Sequence, residues 1–140
     1  MRILGLDVGD RRIGLALTDP TCTIASPIGF FVRKGRAYDS GKICEYVIKH
    51  EVKSILVGLP LDSRGRKGAQ ALKIEGFIKD LSAVTDIPIR TWNERYSTKE
   101  AERLVREAGH QPSMNKGLVD AASAAVILNS YILEGGLFEN

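Results

Sequence analysis

The sequence predicts an α/β fold built on a mixed five-stranded sheet. The sheet is antiparallel across its first three strands, parallel from the first to the fourth and fifth, and has helices on both faces. Three observations predict this. The chain opens on two apolar strand-like runs separated by Gly9-Asp10-Arg11, a tight glycine-containing turn that makes a hairpin. Beyond residue 38, amphipathic helices alternate with short, wholly apolar segments, the pattern of parallel strands covered on both sides. Right-handed crossovers then put the parallel strands beside the first strand, on the side away from the second and third, which leaves the first strand central.

The first strand covers residues 2–8, and the second, residues 12–18, alternates apolar and small positions strictly. A third fits residues 23–32; Pro27 has no N–H for a ladder, so this strand is expected at an edge. Asp39 is expected to cap a helix with Ile43, Cys44, Val47 and Ile48 on one face. Ser54-Ile55-Leu56-Val57 reads as the fourth strand. Ile74, Phe77, Ile78 and Leu81 mark a second helix at i, i+3, i+4 and i+7, and residues 87–92 the fifth strand. Ser97-Thr98-Lys99-Glu100 has the form of a capping box, with a stripe of Ala101, Leu104, Val105 and Ala108 behind it and Gly109 as the stop. A last helix runs from about Asn115 to Leu133.

Length and composition bound the function. The 140 residues have room for one core and are expected to form one domain, 1–140. Hydrophobic residues at 44% and charged residues at 26% argue against disorder, collagen and coiled coil. No uninterrupted apolar run approaches the roughly 18–20 residues of a membrane span. The N-terminus reads as a buried strand and lacks a signal peptide's apolar core, so a cytoplasmic protein is expected. Cys22 and Cys44 are far apart with no neighbouring His, and are expected to be reduced and buried. A net charge of +3 permits nucleic-acid binding without requiring it.

Three acids stand where a solvated side chain is a poor explanation. Asp7 ends the central strand on the same face as Ile3 and Gly5, where a buried carboxylate needs a partner. Asp120 lies among Ala121, Ala122, Ala124 and Ala125 on the last helix, sharing a face with Lys116, Ser123, Ala124 and Ile127. Glu94 follows the fifth strand at the end where parallel strands deliver ligands. Plainer roles stand beside these: Asp7 bonding the turn amides, Asp120 paired to Lys116, Glu94 in water. Taken together, the three acids suggest an oxygen-rich site for Mg²⁺ or Mn²⁺ able to promote phosphodiester hydrolysis.

Basic residues lie around the same positions. Arg11 and Arg12 flank the first turn, and Arg64, Arg66 and Lys67 ride a glycine-flanked loop after the fourth strand. Arg95 adjoins Glu94, and Lys116 is one turn before Asp120. These seven are the candidate nucleic-acid contacts. Arg33, Lys34 and Arg36 read as a solvated loop. Trp92 and Tyr96 bracket Glu94 and offer a surface on which a base could stack, although Trp92 fits a core position equally well. His50 and His110 have no partner pattern.

The segments Leu4-Gly5-Leu6-Asp7-Val8-Gly9-Asp10-Arg11-Arg12-Ile13-Gly14, Val57-Gly58-Leu59-Pro60-Leu61, Asn93-Glu94-Arg95-Tyr96-Ser97-Thr98 and Lys116-Gly117-Leu118-Val119-Asp120-Ala121-Ala122 occur in that order. Together they closely resemble the YqgF family of Holliday junction resolvase-like proteins, regarded as pre-16S rRNA nucleases. The resemblance spans nearly the whole chain. It implies an RNase H-like fold, divalent-metal-dependent phosphodiesterase activity and a role in maturing the 5′ end of pre-16S rRNA during ribosome biogenesis. It maps the catalytic and metal-binding acids onto Asp7, Glu94 and Asp120. One departure is visible: the family reads Asp-Glu-Arg where this chain has Asn93-Glu94-Arg95. Branched DNA is the alternative substrate, and a non-catalytic nucleic-acid-binding module the alternative role. Monomer and homodimer are both left open. Asp7-Val8-Gly9 also resembles the first phosphate loop of actin-like ATPases and sugar kinases, but those need two lobes, and no GxxxxGK[ST] is present.

Overall fold

The computed structural model describes residues 1–94 and 97–134. Its elements are β1 (Arg2–Val8), β2 (Arg12–Thr18), β3 (Ala25–Val32), α1 (Arg36–Lys49), β4 (Val52–Leu59), α2 (Ala69–Ser82), β5 (Ile89–Asn93), α3 (Ser97–Glu107), a 3-10 turn (Pro112–Met114) and α4 (Lys116–Leu133). The strand order is β3-β2-β1-β4-β5, with β1 central as expected. β1 pairs antiparallel with β2 and parallel with β4, and β4 runs parallel to β5. β3 is an edge strand, and its register with β2 shifts between Leu15 and Ala16, opposite the segment holding Pro27.

Strand alternation divides the core into two layers. Leu4, Leu6 and Val8 of β1 face α1 and α2 and pack with Ile13, Leu15, Ile55, Val57, Ile74, Phe77 and Leu81. Ile3 faces the other way, with Ala16, Leu56, Ala124, Ile127, Leu128 and Tyr131 beneath α4. α3 covers α4 from outside through Ala101, Val105, Val119 and Ala122. In length and composition α4 qualifies as a membrane span, but ten of its eighteen residues are buried against sheet and α3, which makes it a core helix. Glycines let it lie so close: a Cβ on Gly5 would fall 2.5 Å from Leu128 Cγ.

Several local expectations need correction. α1 begins at Arg36 behind Gly35, so Asp39 is not its N-cap. Asp39 instead lies buried in the first turn, where it accepts from the Lys34 amide (3.0 Å) and from Arg33 Nε (2.9 Å). Arg33 also donates to the Gly9 carbonyl at 2.8 Å and lies over the Phe77 ring. Arg36 pairs with Asp80. The basic run at 33–36 therefore ties α1 to the first turn and to α2. Ile48 is 78% exposed, its place on the packed face being taken by Tyr46 and Val47. Leu104 on α3 and Ala108 just past its end are exposed. Glu100 pairs with Arg103, and α3 closes as a Schellman motif, with Gly109 (φ +91°) bonding Arg106 O and His110 bonding Val105 O. Cys22 is buried and Cys44 half-buried, both as free thiols.

Candidate active site

Asp7 stands between two glycines. Across the hairpin its register partner is Gly14, and on the other side Gly58 lies one step beyond the Leu6–Val57 pair. A side chain on either glycine would block what reaches toward Asp7. A Cβ on Gly14 would fall 2.1 Å from the carbonyl carbon and oxygen of Asp120, so α4 touches the sheet backbone at the residue that carries the acid. A Cβ on Gly58 would fall 2.8 Å from Glu94 Oε2. Glu94 leaves β5, two strands from β1, and crosses β4 over Gly58. That crossing spans the roughly 10 Å which two strand spacings impose. Glycine inside a strand is a sequence signal for such close approach.

The electrostatics follow from this convergence. Burial, then the negative charges of Glu94 and Asp120, and finally a hydrogen bond to Glu94 hold the Asp7 carboxyl well above the usual carboxylate range. Burial raises Glu94 too, partly offset by the bond from Asp7. Asp120 is raised by burial against the opposing hydrogen bond and charge of Arg12. The Arg12 Nε to Asp120 Oδ2 distance is 2.8 Å, so the partner of Asp120 is Arg12 and not Lys116. The turn amide of Gly9 bonds Arg12 O at 2.9 Å, which leaves Asp7 out of turn capping there.

Asn93 ends β5, is exposed and pairs with Leu59, whereas Glu94 turns over Gly58. Of the two adjacent residues, Glu94 is therefore the one directed at Asp7. Trp92 belongs to the core edge, T-shaped against Tyr131 at 5.1 Å and donating to Ser130 Oγ at 3.2 Å. Arg95 and Tyr96 lie outside the described residues.

Of the expected basic contacts, Arg11, Arg64 and Lys116 are exposed and, among the described residues, have no acidic partner. Arg66 pairs with Asp62 at 3.0 Å and Lys67 with Glu75 at 2.6 Å. Asp62 also accepts from the Arg64 and Arg66 amides, folding the loop around itself, with Gly65 at φ +76°. The loop is thus more organised than its glycines suggest. Sequence reasoning put Ser123 on the Asp120 face but gave it no role. It is 1% exposed, one turn beyond Asp120, and its Oγ has no hydrogen-bond partner among the described residues.

Among the described residues no three His, Cys, Asp or Glu side chains are grouped tightly enough to enclose a metal ion as they stand. The donor set still suits a hard divalent cation. Its oxygens are all carboxylate, and their mutual repulsion is what a cation relieves.

Comparison with known proteins places these features. Residues 1–134 match the family model described as "RuvX: Holliday junction resolvase". The chain is 40% identical over 131 residues to a Synechococcus sp. (strain JA-2-3B'a(2-13)) protein named "Putative pre-16S rRNA nuclease", covering 94% of this chain and 77% of that one. A protein of the same name from Desulforamulus reducens is 38% identical over 135 residues, covering 96% and 98%. Among solved structures, Thermus thermophilus RuvC in complex with a Holliday junction substrate superposes with a TM-score of 0.61 at 18% identity, covering 96% of each chain. The fowlpox virus resolvase with Holliday junction DNA gives 0.59 at 14%, covering 96% and 98%. The fold is thus the RNase H-like fold of RuvC-like resolvases.

Proposed function

Because the chain belongs to the RuvX family, and is a nuclease that hydrolyses phosphodiester bonds, we propose that it trims the 5′ end of pre-16S rRNA with Asp7, Glu94 and Asp120 as its catalytic acids. One observation carries the assignment of the acids: Gly14 and Gly58 flank Asp7, with the Asp120 backbone against the first and the Glu94 carboxylate over the second.

Asp7, Glu94 and Asp120 would hold divalent metal, Mg²⁺ or Mn²⁺. When bound, such an ion supplies Lewis-acid charge and lowers the pKa of a nearby water. The chain's own residues do the rest. Glu94 is the acid whose charge bears most strongly on Asp7. Asp120 is held by Arg12, which fixes the carboxylate's orientation and neutralises it until a cation competes for it. Arg11 and Arg64, exposed and without an acidic partner among the described residues, supply phosphate contacts that position the strand without reading its sequence. The reading places the protein in the cytoplasm, where ribosomes are assembled.

The test is a cleavage assay on precursor 16S rRNA, plain duplex and a four-way DNA junction, with Mg²⁺ and with Mn²⁺. Cleavage of the rRNA precursor at its 5′ side, lost in a folded Asp7→Asn variant, is the expected result. Preferential cutting of the junction, the substrate bound in the RuvC and fowlpox resolvase complexes, would replace rRNA by branched DNA as the substrate.

A further inference from the structure

Between α3, the 3-10 turn and the start of α4 lies a cleft of about 500 Å³. Arg12 and Asp120 form part of its wall, so it is continuous with the acid cluster. The rest of the lining includes Arg106, Gln111 and Lys116, with Glu102 as a second carboxylate. Arg106 and Lys116 are exposed and, among the described residues, neither has an acidic partner. The contrast within α3 is informative: Arg103 is clamped between Glu100 and Glu107, whereas Arg106, one turn beyond Glu102, stands clear.

The walls are rigid. α3 packs on α4 through Ala101, Val105, Val119 and Ala122, and the α3 end is locked by its Schellman bonds. A Cβ on Gly117 would fall 2.3 Å from the Phe30 ring, so the first turn of α4 is seated on β3. The backbone that carries Arg106 and Lys116 is thereby preorganised, and only their side chains remain to be ordered on binding. The volume lies in the range of about 300–1,000 Å³ that encloses a small ligand, which suits a short run of one strand better than a double helix.

We propose that this cleft binds the phosphodiester backbone of a single nucleic-acid strand on the Asp120 side of the scissile phosphate, with Arg106 and Lys116 as its phosphate contacts. Its orientation relative to the cut rests on the nuclease reading; the binding itself does not.

The experiment measures fluorescence anisotropy of short labelled single-stranded RNA and DNA of one sequence, titrated with the full chain in EDTA over a series of KCl concentrations. Wild type is compared with Arg106→Ala/Lys116→Ala and with Arg106→Lys, each with a thermal melt to confirm folding. The double variant is expected to bind at least about 10-fold more weakly. Its slope of log K against log salt should be smaller by about 1.4, two contacts at roughly 0.7 each for single strands. Arg106→Lys should keep the wild-type slope. Equal losses on RNA and DNA support the phosphate assignment, whereas a loss confined to RNA overturns it, because the 2′-hydroxyl would then be the recognised group. A wild-type slope in the folded double variant also overturns it. Cleavage separates the two readings. A slope change in a chain that cuts no substrate keeps the cleft and removes the nuclease reading, and an unchanged slope in an active nuclease removes the cleft alone.

Discussion

Gly58→Ala separates the acid site from the fold more cleanly than any change to an acid. The added Cβ would lie 2.8 Å from Glu94 Oε2 and 2.5 Å from Ile127 Cδ1, against the 3.4 Å at which ordinary contact begins. Glu94 must therefore shift by about 0.6 Å and Ile127 by about 0.9 Å. Both obstructing atoms end flexible side chains, and Gly58 does not occupy a positive-φ conformation, so the fold can absorb the change. An overpacking cost near the middle of the usual range of about 1–3 kcal/mol is offset by about 0.4–1 kcal/mol from the stiffer unfolded chain. The net loss should be about 1 kcal/mol, a fall of roughly 3–5 °C in Tm. Catalysis is far less tolerant, since a misplacement of about 1 Å costs on the order of 100-fold. At saturating substrate, kcat should fall by about 10- to 100-fold. Adding Ile127→Val removes the Cδ1 clash and leaves the Glu94 clash, so the double variant should regain Tm over Gly58→Ala without regaining kcat. Wild-type kcat in folded Gly58→Ala would refute the placement of Glu94 over β4 as the source of its activity.

Asp7→Asn should abolish cleavage and leave the fold intact. The folded state holds the Asp7 proton more tightly than the unfolded chain, whose value is near 3.8, so ionising Asp7 costs stability as pH rises. The variant's Tm advantage should be absent in acid and grow toward neutral pH; a larger advantage in acid would reverse the sign. Glu94→Gln should remove activity while Asn93→Asp leaves it similar or modestly raised, as single-turnover rates would show; the opposite pattern moves the assignment to Asn93. Changing Arg64, Arg66 and Lys67 to Ala should reduce the salt slope by about one contact, not three, because Asp62 and Glu75 already engage two of them. Ser123→Ala should raise stability by about 1 kcal/mol, since it deletes a buried hydroxyl without a partner, and a urea titration reads the midpoint.

The strand order was legible because it rests on local patterns: alternation in β2, apolar runs in β1 and β4, Pro27 on β3. Asp7 and Asp120 stood out as candidates because each conflicts with its neighbours, Asp7 in an apolar strand and Asp120 among alanines, whereas Glu94 had only its place at a strand end. Pairings between distant segments were not. Arg12 and Asp120 are 108 residues apart, and nothing at either position announces the other. Arg33 and Asp39 looked like wet-loop charge and a helix cap because both are polar residues near a helix start; Arg33 is held on Phe77 and Gly9, which only the fold brings close, and Asp39 is bonded to Arg33. Gly14 and Gly58 were visible as glycines inside strands, but what approaches them is set by α4 and the end of β5.

The acids lie at positions 7, 94 and 120, and the third rides on α4, the last described element to leave the ribosome. A nascent chain halted before Lys116 carries Asp7 and Glu94 on a sheet whose α4 face is bare, with Ile3, Ala16 and Leu56 in water. Such an intermediate is prone to aggregate, and it also lacks the third acid. Docking of α4 covers that apolar face and delivers Asp120 onto Gly14 in the same event. If Asp120 is the third acid, as proposed, nuclease competence switches on only with completion of the core, and a half-made copy emerging among ribosomal RNAs would have no complete site with which to cut them.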